Sequence, residues 1–318
     1  MIPFNFIFSS ILSATILFTF SCNQNTIPVR NKTVSGDSLS FIVIGDWGVK
    51  GSSVQKKVAE QIDIYAKKHN AHFIITAGDN FYPSGVSSTT DAHWSNSYEN
   101  IYTKEGHQVP WYPVLGNHDY RGNPDAQIKY STVSSRWKMP ARYYSFKQDI
   151  DRSTSALFVF TDTSPFVEAY HNYSMADLQK QDTAKQLTWL QETLTPDRQW
   201  KIVVGHHPVY SAGSHGNTGE LIKKFKPIFL QSKTDFYICG HEHNLQHLKI
   251  ASEPVQYFIS GGGGRSLYGL TRNANSIFAR SIHGFMSVTL YRDRANVYFY
   301  NENGILLHRA QVEKNQSE

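Results

Sequence analysis

Short apolar runs, most of them followed at once by a glycine, punctuate this chain from residue 40 onward. Residues 40–44 are too short and too continuously apolar for a surface helix and read as a strand. Residues 54–68 set Val58, Ile62 and Tyr65 at helical spacing among charged neighbours, which predicts an amphipathic helix. The alternation continues with strands at 73–76, 111–115, 156–161, 200–204 and 236–239, and with helical segments at 183–192 and 219–232. Strand, loop, helix in that order belongs to an α/β fold whose loops gather at the C-terminal ends of the strands.

The last third changes character. Residues 255–260, 285–291 and 295–300 are strand-like, and Arg292-Asp293-Arg294 and Asn301-Glu302-Asn303-Gly304 supply turns of the kind that join an antiparallel meander. A two-layer β-sandwich flanked by helices follows. Residues 83–109 have no clear period and hold Trp94, Tyr98 and Tyr102, so they fit either a substrate rim or a surface loop with partly buried aromatics. No internal repeat or low-complexity tract interrupts the pattern.

Composition narrows the class. With 318 residues, 40% hydrophobic and 14% aromatic, the chain can bury one large core, and its 18% charged content is too low for a disordered protein. One catalytic domain, 39–318, accounts for it. Residues 1–21 carry no charged side chain, and Pro3, Asn5 and several serines break up the apolar stretch, so it makes a poor membrane span and a better export signal, although a positive N-terminal region is missing. Cys22 follows Thr19-Phe20-Ser21, which resembles a bacterial lipoprotein cleavage box apart from the bulky Phe20. The expectation is an export signal of lipoprotein type over 1–22 and a polar tether over 23–38, with a simple cleaved signal or an uncleaved anchor as alternatives. The protein is then exported, periplasmic or at the cell surface, and lipid-anchored to a bacterial outer membrane through Cys22. Cys239 would be left without a disulfide partner, so core and bound metal must supply the stability. A net charge of +5 draws anionic substrates, while the lack of a long basic block argues against nucleic acid. No heptad or apolar patch speaks to oligomeric state.

Five segments carry the candidate chemistry: Gly45-Asp46-Trp47-Gly48, Gly78-Asp79-Asn80-Phe81-Tyr82, Gly116-Asn117-His118-Asp119, Gly205-His206-His207-Pro208 and Gly240-His241-Glu242-His243. Each sets oxygen or nitrogen ligands just after an apolar run. Asp46 can reach a cation from the turn that Gly48 allows, or simply cap the next helix. Asp79 repeats the arrangement, and one carboxylate can bridge two cations about 3.5 to 4 Å apart. Tyr82 offers either a phenolate for a hard trivalent ion or a packed surface ring. Asn117 brings a neutral carbonyl oxygen, and His118 beside it can face a substrate oxygen. In an extended segment His241 and His243 point the same way and present two imidazoles to a common centre, to which His206 adds a third. The glycine run 261–264 ahead of Arg265 reads either as a close approach to substrate or as a tight structural loop.

Taken in order, these segments resemble the calcineurin-like metallophosphoesterases, and Tyr82 three residues after Asp79 narrows the resemblance to the purple acid phosphatases of the small, tartrate-resistant type. It spans about Leu39 to Leu307. The resemblance implies a four-layer α/β/β/α sandwich of two mixed sheets flanked by helices. It implies a binuclear centre with Fe(III) held by Asp46, Asp79, Tyr82 and His243. A divalent Fe(II), Zn(II) or Mn(II) would be held by Asp79, Asn117, His206 and His241. His118 and His215 would fall in the phosphate pocket as the catalytic histidines. The implied activity is an acid phosphatase acting on small phosphorylated substrates and on phosphoproteins, by in-line attack of a metal-activated hydroxide. His207 stands where the small enzymes have a tyrosine, which leaves the pH optimum open, and Glu242 replaces the more frequent aspartate.

A phosphodiesterase, nucleotidase or pyrophosphatase would use the same ligands, and the rim formed by 83–109, 162–173 and 261–269 would tell them apart. A non-catalytic surface lipoprotein that binds metal or phosphate is the reading from another class.

Overall fold

A computed structural model describes residues 1, 37–173, 175, 177–195, 200–271 and 273–314. The segments expected to be an export signal and a tether, Cys22 included, lie outside the described residues apart from Met1, Asp37 and Ser38. Thirteen strands among those residues form two mixed sheets. The six-stranded sheet contains β1 (Leu39–Ile44), β2 (Phe73–Thr76), β3 (Trp111–Pro113), β11 (Gly284–Leu290), β12 (Arg294–Asn301) and β13 (Leu306–Glu313), in the order β13-β12-β11-β1-β2-β3. β1, β2 and β3 run parallel, while β11 to β13 form an antiparallel meander. Of the three strands expected to build it, 285–291 and 295–300 do so as β11 and β12, but 255–260 belongs to the other sheet, where it pairs parallel to β7, and β13 takes the third place. The seven-stranded sheet, in the order β10-β8-β9-β7-β6-β5-β4, comprises β4 (Tyr144–Asp149), β5 (Ser155–Phe160), β6 (Trp200–Val204), β7 (Phe236–Cys239), β8 (Leu245–Lys249), β9 (Gln256–Ser260) and β10 (Ser276–Arg280).

Helices cover both outer faces and complete four layers. α1 (Ser53–Lys68), capped by the Ser52 side chain, turns Val58 and Ile62 inward, and Tyr65 stacks on Tyr300 with ring centres 3.9 Å apart. Next come α2 (Ala92–Trp94) and α3 (Pro124–Tyr130), and then α4 (Thr183–Leu194), α5 (Gly219–Lys224) and α6 (Lys226–Gln231), which back the second sheet. The segment read as one helix over 219–232 is two, broken at Phe225. Pro227 opens the second, where its missing N–H costs nothing but its ring would clash with a carbonyl of a continuous helix.

The inner strands are mostly apolar because both their faces are buried, with single polar exceptions such as Ser40 in β1 and Lys201 in β6. In β5, Ala156, Phe158 and Phe160 face the other sheet while Leu157 and Val159 meet the helices, and β6 and β7 repeat this. Phe158 joins the sheets, lying edge-on to Phe41 and Phe73 with ring centres 5.2 and 5.1 Å away. Residues 83–109 differ from both readings offered for them. Trp94, Tyr98 and Tyr102 are buried and pack with Trp47, Phe81 and Trp111, making an aromatic extension of the core between the sheets rather than a rim.

Candidate metal centre

The parallel strands β1, β2 and β3 of one sheet and β6 and β7 of the other end on the same side, and the five motif loops follow those ends. Backbone bonds tie the loops together. Asp46 N–H donates to Gly78 O at 3.1 Å, and His241 N–H reaches across the sheets to Asp46 Oδ2 at 2.9 Å. Asp46, Asp79 and His241 all adopt left-handed backbone, with φ of 58°, 48° and 67°. For residues other than glycine this stores strain on the order of 1 kcal/mol each, and such strain gathers at functional sites. Close approach leaves no room for side chains at two glycines: a Cβ on Gly78 would overlap the His206 ring, and one on Gly116 would overlap the Asp79 carboxylate.

Two groups of candidate ligands share Asp79. In the first, the Tyr82 oxygen lies 2.9 Å from Asp46 Oδ1, 2.7 Å from Asp79 Oδ2 and 3.0 Å from His243 Nε2. In the second, Asn117 Oδ1 lies 3.2 Å from His206 Nε2 and 3.1 Å from His241 Nδ1, and His206 Nε2 lies 3.5 Å from Asp79 Oδ1. All seven side chains therefore converge, and Tyr82 is 2% exposed rather than a surface ring. Asp46 does not cap α1; Ser52 does.

Hydrogen bonding decides what these groups present to the centre. His206 Nδ1 faces Ala77 O at 2.8 Å and His243 Nδ1 faces Ser266 O at 2.6 Å; a carbonyl only accepts, so both Nδ1 atoms carry a proton, and in the neutral rings that metal binding requires both Nε2 atoms turn lone pairs inward. At His243 burial is outweighed by the Asp46 carboxylate, which raises its pKa and favours a second proton there until a cation replaces it. The His206 lone pair then faces the Asn117 carbonyl oxygen, and the single Tyr82 proton is shared among two carboxylates and an imidazole lone pair. So many acceptors in contact are mutually repulsive unless cations lie among them. The donor set, with outer partners fixing its tautomers, fits two metal ions. Burial and the Asp46 and Asp79 carboxylates push the Tyr82 hydroxyl well above its ordinary value, and a cation would reverse that push. Burial and the surrounding imidazoles hold His241 well below its ordinary value, in the neutral form a metal requires.

The histidine pair departs from expectation. The turn from His241 to Asn244 is not extended, and the left-handed His241 sends the two rings to different groups instead of a common centre. His207 also lies near His206 and His241 but is no ligand, since Thr163 Oγ1 at 2.9 Å and Tyr170 Oη at 3.0 Å take both its nitrogens. Burial and its neighbouring histidines press it well below its ordinary value, so it stays neutral.

A cavity of about 560 Å³ opens over the centre, lined by Asp79, Asn117, His118, Arg121, Tyr170, Tyr173, Met175, His215, His241, His243 and Tyr268. The rim segments 162–173 and 261–269 thus contribute, and 83–109 does not. His118 Nδ1 donates to Pro83 O at 2.7 Å, leaving Nε2 3.9 Å from Asp79. His215 rests on Glu242, whose Oε1 accepts the N–H groups of His215 and Gly216 at 2.9 and 3.2 Å. Glu242 is thus an anchor for the His215 loop. Asp119 does the same between β2 and β3, accepting from Asn80 N at 3.1 Å and Gly116 N at 2.8 Å. The signal that could have found both was a buried acid inside a motif without a ligand role. The run 261–264 packs under the centre, where side chains at Gly261 and Gly263 would overlap the backbone of Glu242 and Gly45, and so serves as structural packing.

Comparison with known proteins agrees with this geometry. The family model of the calcineurin-like phosphoesterases matches residues 39–245. Purple acid phosphatase 4 of Arabidopsis thaliana is 38% identical over 291 residues, covering 87% of this chain and 84% of its own. Tartrate-resistant acid phosphatase type 5 of Homo sapiens is 32% identical, over 71% of this chain and 73% of its own. Among solved structures, GAP50, the anchor in the inner membrane complex of Plasmodium, superposes with a TM-score of 0.77 at 26% identity, covering 88% of this chain and 90% of that one. Purple acid phosphatase PPD1 from yellow lupin seeds shares the fold at a TM-score of 0.65 and 16% identity, over 87% of this chain and 54% of that one.

Proposed function

Since the chain belongs to the calcineurin-like phosphoesterases, in their purple acid phosphatase branch, and is a metal-dependent hydrolase, we propose that it hydrolyses phosphate monoesters. The observation that carries the hydrolytic reading is the convergence of seven candidate ligand side chains from five loops on the shared Asp79 carboxylate, and the likeness to purple acid phosphatases supports the choice of monoesters. Asp46, Asp79, Tyr82 and His243 suit a hard trivalent ion, Fe(III). Asp79, Asn117, His206 and His241 suit a divalent Fe(II), Zn(II) or Mn(II). When bound, the pair supplies Lewis-acid charge and lowers the pKa of water.

The chain's own residues do the rest. The ester enters the cavity with its phosphoryl group toward Asn117 and His241 and its leaving group toward Tyr173 and Tyr268. Arg121, whose guanidinium has no ion-pair partner among the described residues, adds a positive charge at the mouth. His118, turned by its bond to Pro83, holds a non-bridging oxygen through Nε2. His215, fixed by Glu242, is placed to hand a proton to the departing alkoxide. Small phosphorylated compounds and phosphoprotein side chains both fit such a mouth. The test is kcat/KM for a phosphomonoester against its diester with the same leaving group. A clear monoester preference is expected, and equal rates or a diester preference would refute it. Because a protein of this fold serves as an anchor in the inner membrane complex of Plasmodium, the second reading is a non-catalytic surface protein that binds metal or phosphate. Metal-replete protein without turnover on any phosphoester would establish that reading.

We also propose that residues 1–22 are an export signal of lipoprotein type, that 23–38 tether the domain 39–318, and that Cys22 is lipidated at the outer membrane. The neutral apolar leader ending at Ser21-Cys22 supports this. Among the described residues no helix is long and apolar enough to cross a membrane. Cys22→Ala should release the protein from the membrane fraction, and a mature protein that carries no acyl mass would rule the anchor out.

A further inference from the structure

Thr163 Oγ1 accepts the backbone N–H groups of His206 at 3.2 Å and of His207 at 3.1 Å. A hydroxyl has two lone pairs and one hydrogen, so with both pairs taken its hydrogen must point to its remaining neighbour, His207 Nδ1, at 2.9 Å. His207 Nδ1 is therefore an acceptor, and the ring's proton sits on Nε2. That N–H faces Tyr170 Oη at 3.0 Å and donates to it. Tyr170 must then point its own hydrogen elsewhere, and no acceptor for it exists among the described residues. Its ring lines the same cavity as Asp79, Asn117, His118 and His241. A buried pair of side chains with no contact to solvent thus turns one phenol into an oriented donor at the reaction site.

We infer that Tyr170 is a further substrate-contacting residue, which donates a hydrogen bond to an oxygen of the bound phosphoryl group, with Thr163 and His207 as the positioning residues that aim it. This rests on the phosphoesterase reading above, but the contact is with the phosphoryl group and so extends to inorganic phosphate. A neutral phenol suits this role because it donates to an anion without adding a charge that must be desolvated, and because its direction is set before the anion arrives. It also gives a role to His207, whose two nitrogens are taken by Thr163 and Tyr170.

The test uses full-length, metal-loaded protein, with inorganic phosphate as the binding probe and a phosphomonoester for rates. Tyr170→Phe keeps the ring and removes the donor. The Kd for phosphate should rise, and kcat/KM fall, by about 10- to 100-fold, the usual worth of one hydrogen bond to a charged group, with metal content and Tm unchanged. His207→Leu should reproduce the loss, adding little when combined with Tyr170→Phe. His207→Gln, whose amide can accept from Thr163 and donate to Tyr170, should recover most of the affinity that leucine loses. Unchanged phosphate affinity in Tyr170→Phe would overturn the inference, as would an effect that tracks loss of metal, because the phenol would then be propping the ligands. If the unaltered protein binds phosphate yet turns over no ester, the phosphatase reading fails while the Tyr170 contact stands.

Discussion

The Asp79 carboxylate lies within 2.7 Å of the Tyr82 oxygen on one side and 3.5 Å of His206 Nε2 on the other, and both proposed ion sites depend on it. Tyr82 shows what the ions must do. Burial and two carboxylates oppose its ionisation, so only a strongly charged cation can hold it as a phenolate, and a phenolate on Fe(III) absorbs visible light. Tyr82→Phe should therefore bleach the purified protein while leaving part of its hydrolysis. A visible band that survives the substitution would show that Tyr82 is not the chromophore. The candidate ligands could be picked out in the sequence because the loops that hold them follow strand-forming runs. Glu242, Asp119 and Thr163 were not, because each works by accepting hydrogen bonds from a loop remote in sequence, and spacing along the chain carries no trace of that. The different destinations of His241 and His243 were hidden for a related reason: the left-handed turn at His241 belongs to the assembled loops, not to a local propensity.

The elements divide by how they are buried. β2, β6 and β7 begin and end where their apolar runs do, since burial on both faces writes an unbroken hydrophobic signal. β13, with the pattern of an exposed edge, and β10, partly exposed along its length, carry too few apolar positions to stand out, and neither was anticipated. β4 shows only Tyr144 and Phe146 on its buried face before turning polar. The aromatic segment 83–109 misled for the opposite reason. Its serines and missing period suggest a surface loop, yet Trp94 stacks on Tyr130 at 3.4 Å and lies edge-on to Trp137 at 5.2 Å, contacts that only tertiary structure creates. That packing puts a rigid floor beneath the Asp79 loop, through Phe81 and Trp47.

At the scale of the molecule, buried histidines make stability depend on pH. His107 and His247 are buried, one in each half of the fold, and burial pushes each from 6.5 down to about 4. Between those values the unfolded chain binds protons that the folded one refuses, so their stabilising effect is complete above about pH 6.5 and is lost as pH falls toward 4. At roughly 1.4 kcal/mol per pH unit this is on the order of 3 kcal/mol for each histidine. Tm should fall steeply over that interval, and His107→Gln, which can keep the bond to Ala59 O, should flatten the fall; an identical slope in the variant would remove His107 from the account. Under the proposed acid phosphatase reading the enzyme would work while its own fold is under acid stress, and bound cations would offset part of the loss. The most direct test of the central claim is anomalous X-ray diffraction from crystals of the metal-loaded protein. Two peaks flanking the Asp79 carboxylate, one beside Tyr82 and His243 and the other beside Asn117, His206 and His241, are predicted; a single peak, or cations bound away from Asp79, would contradict it.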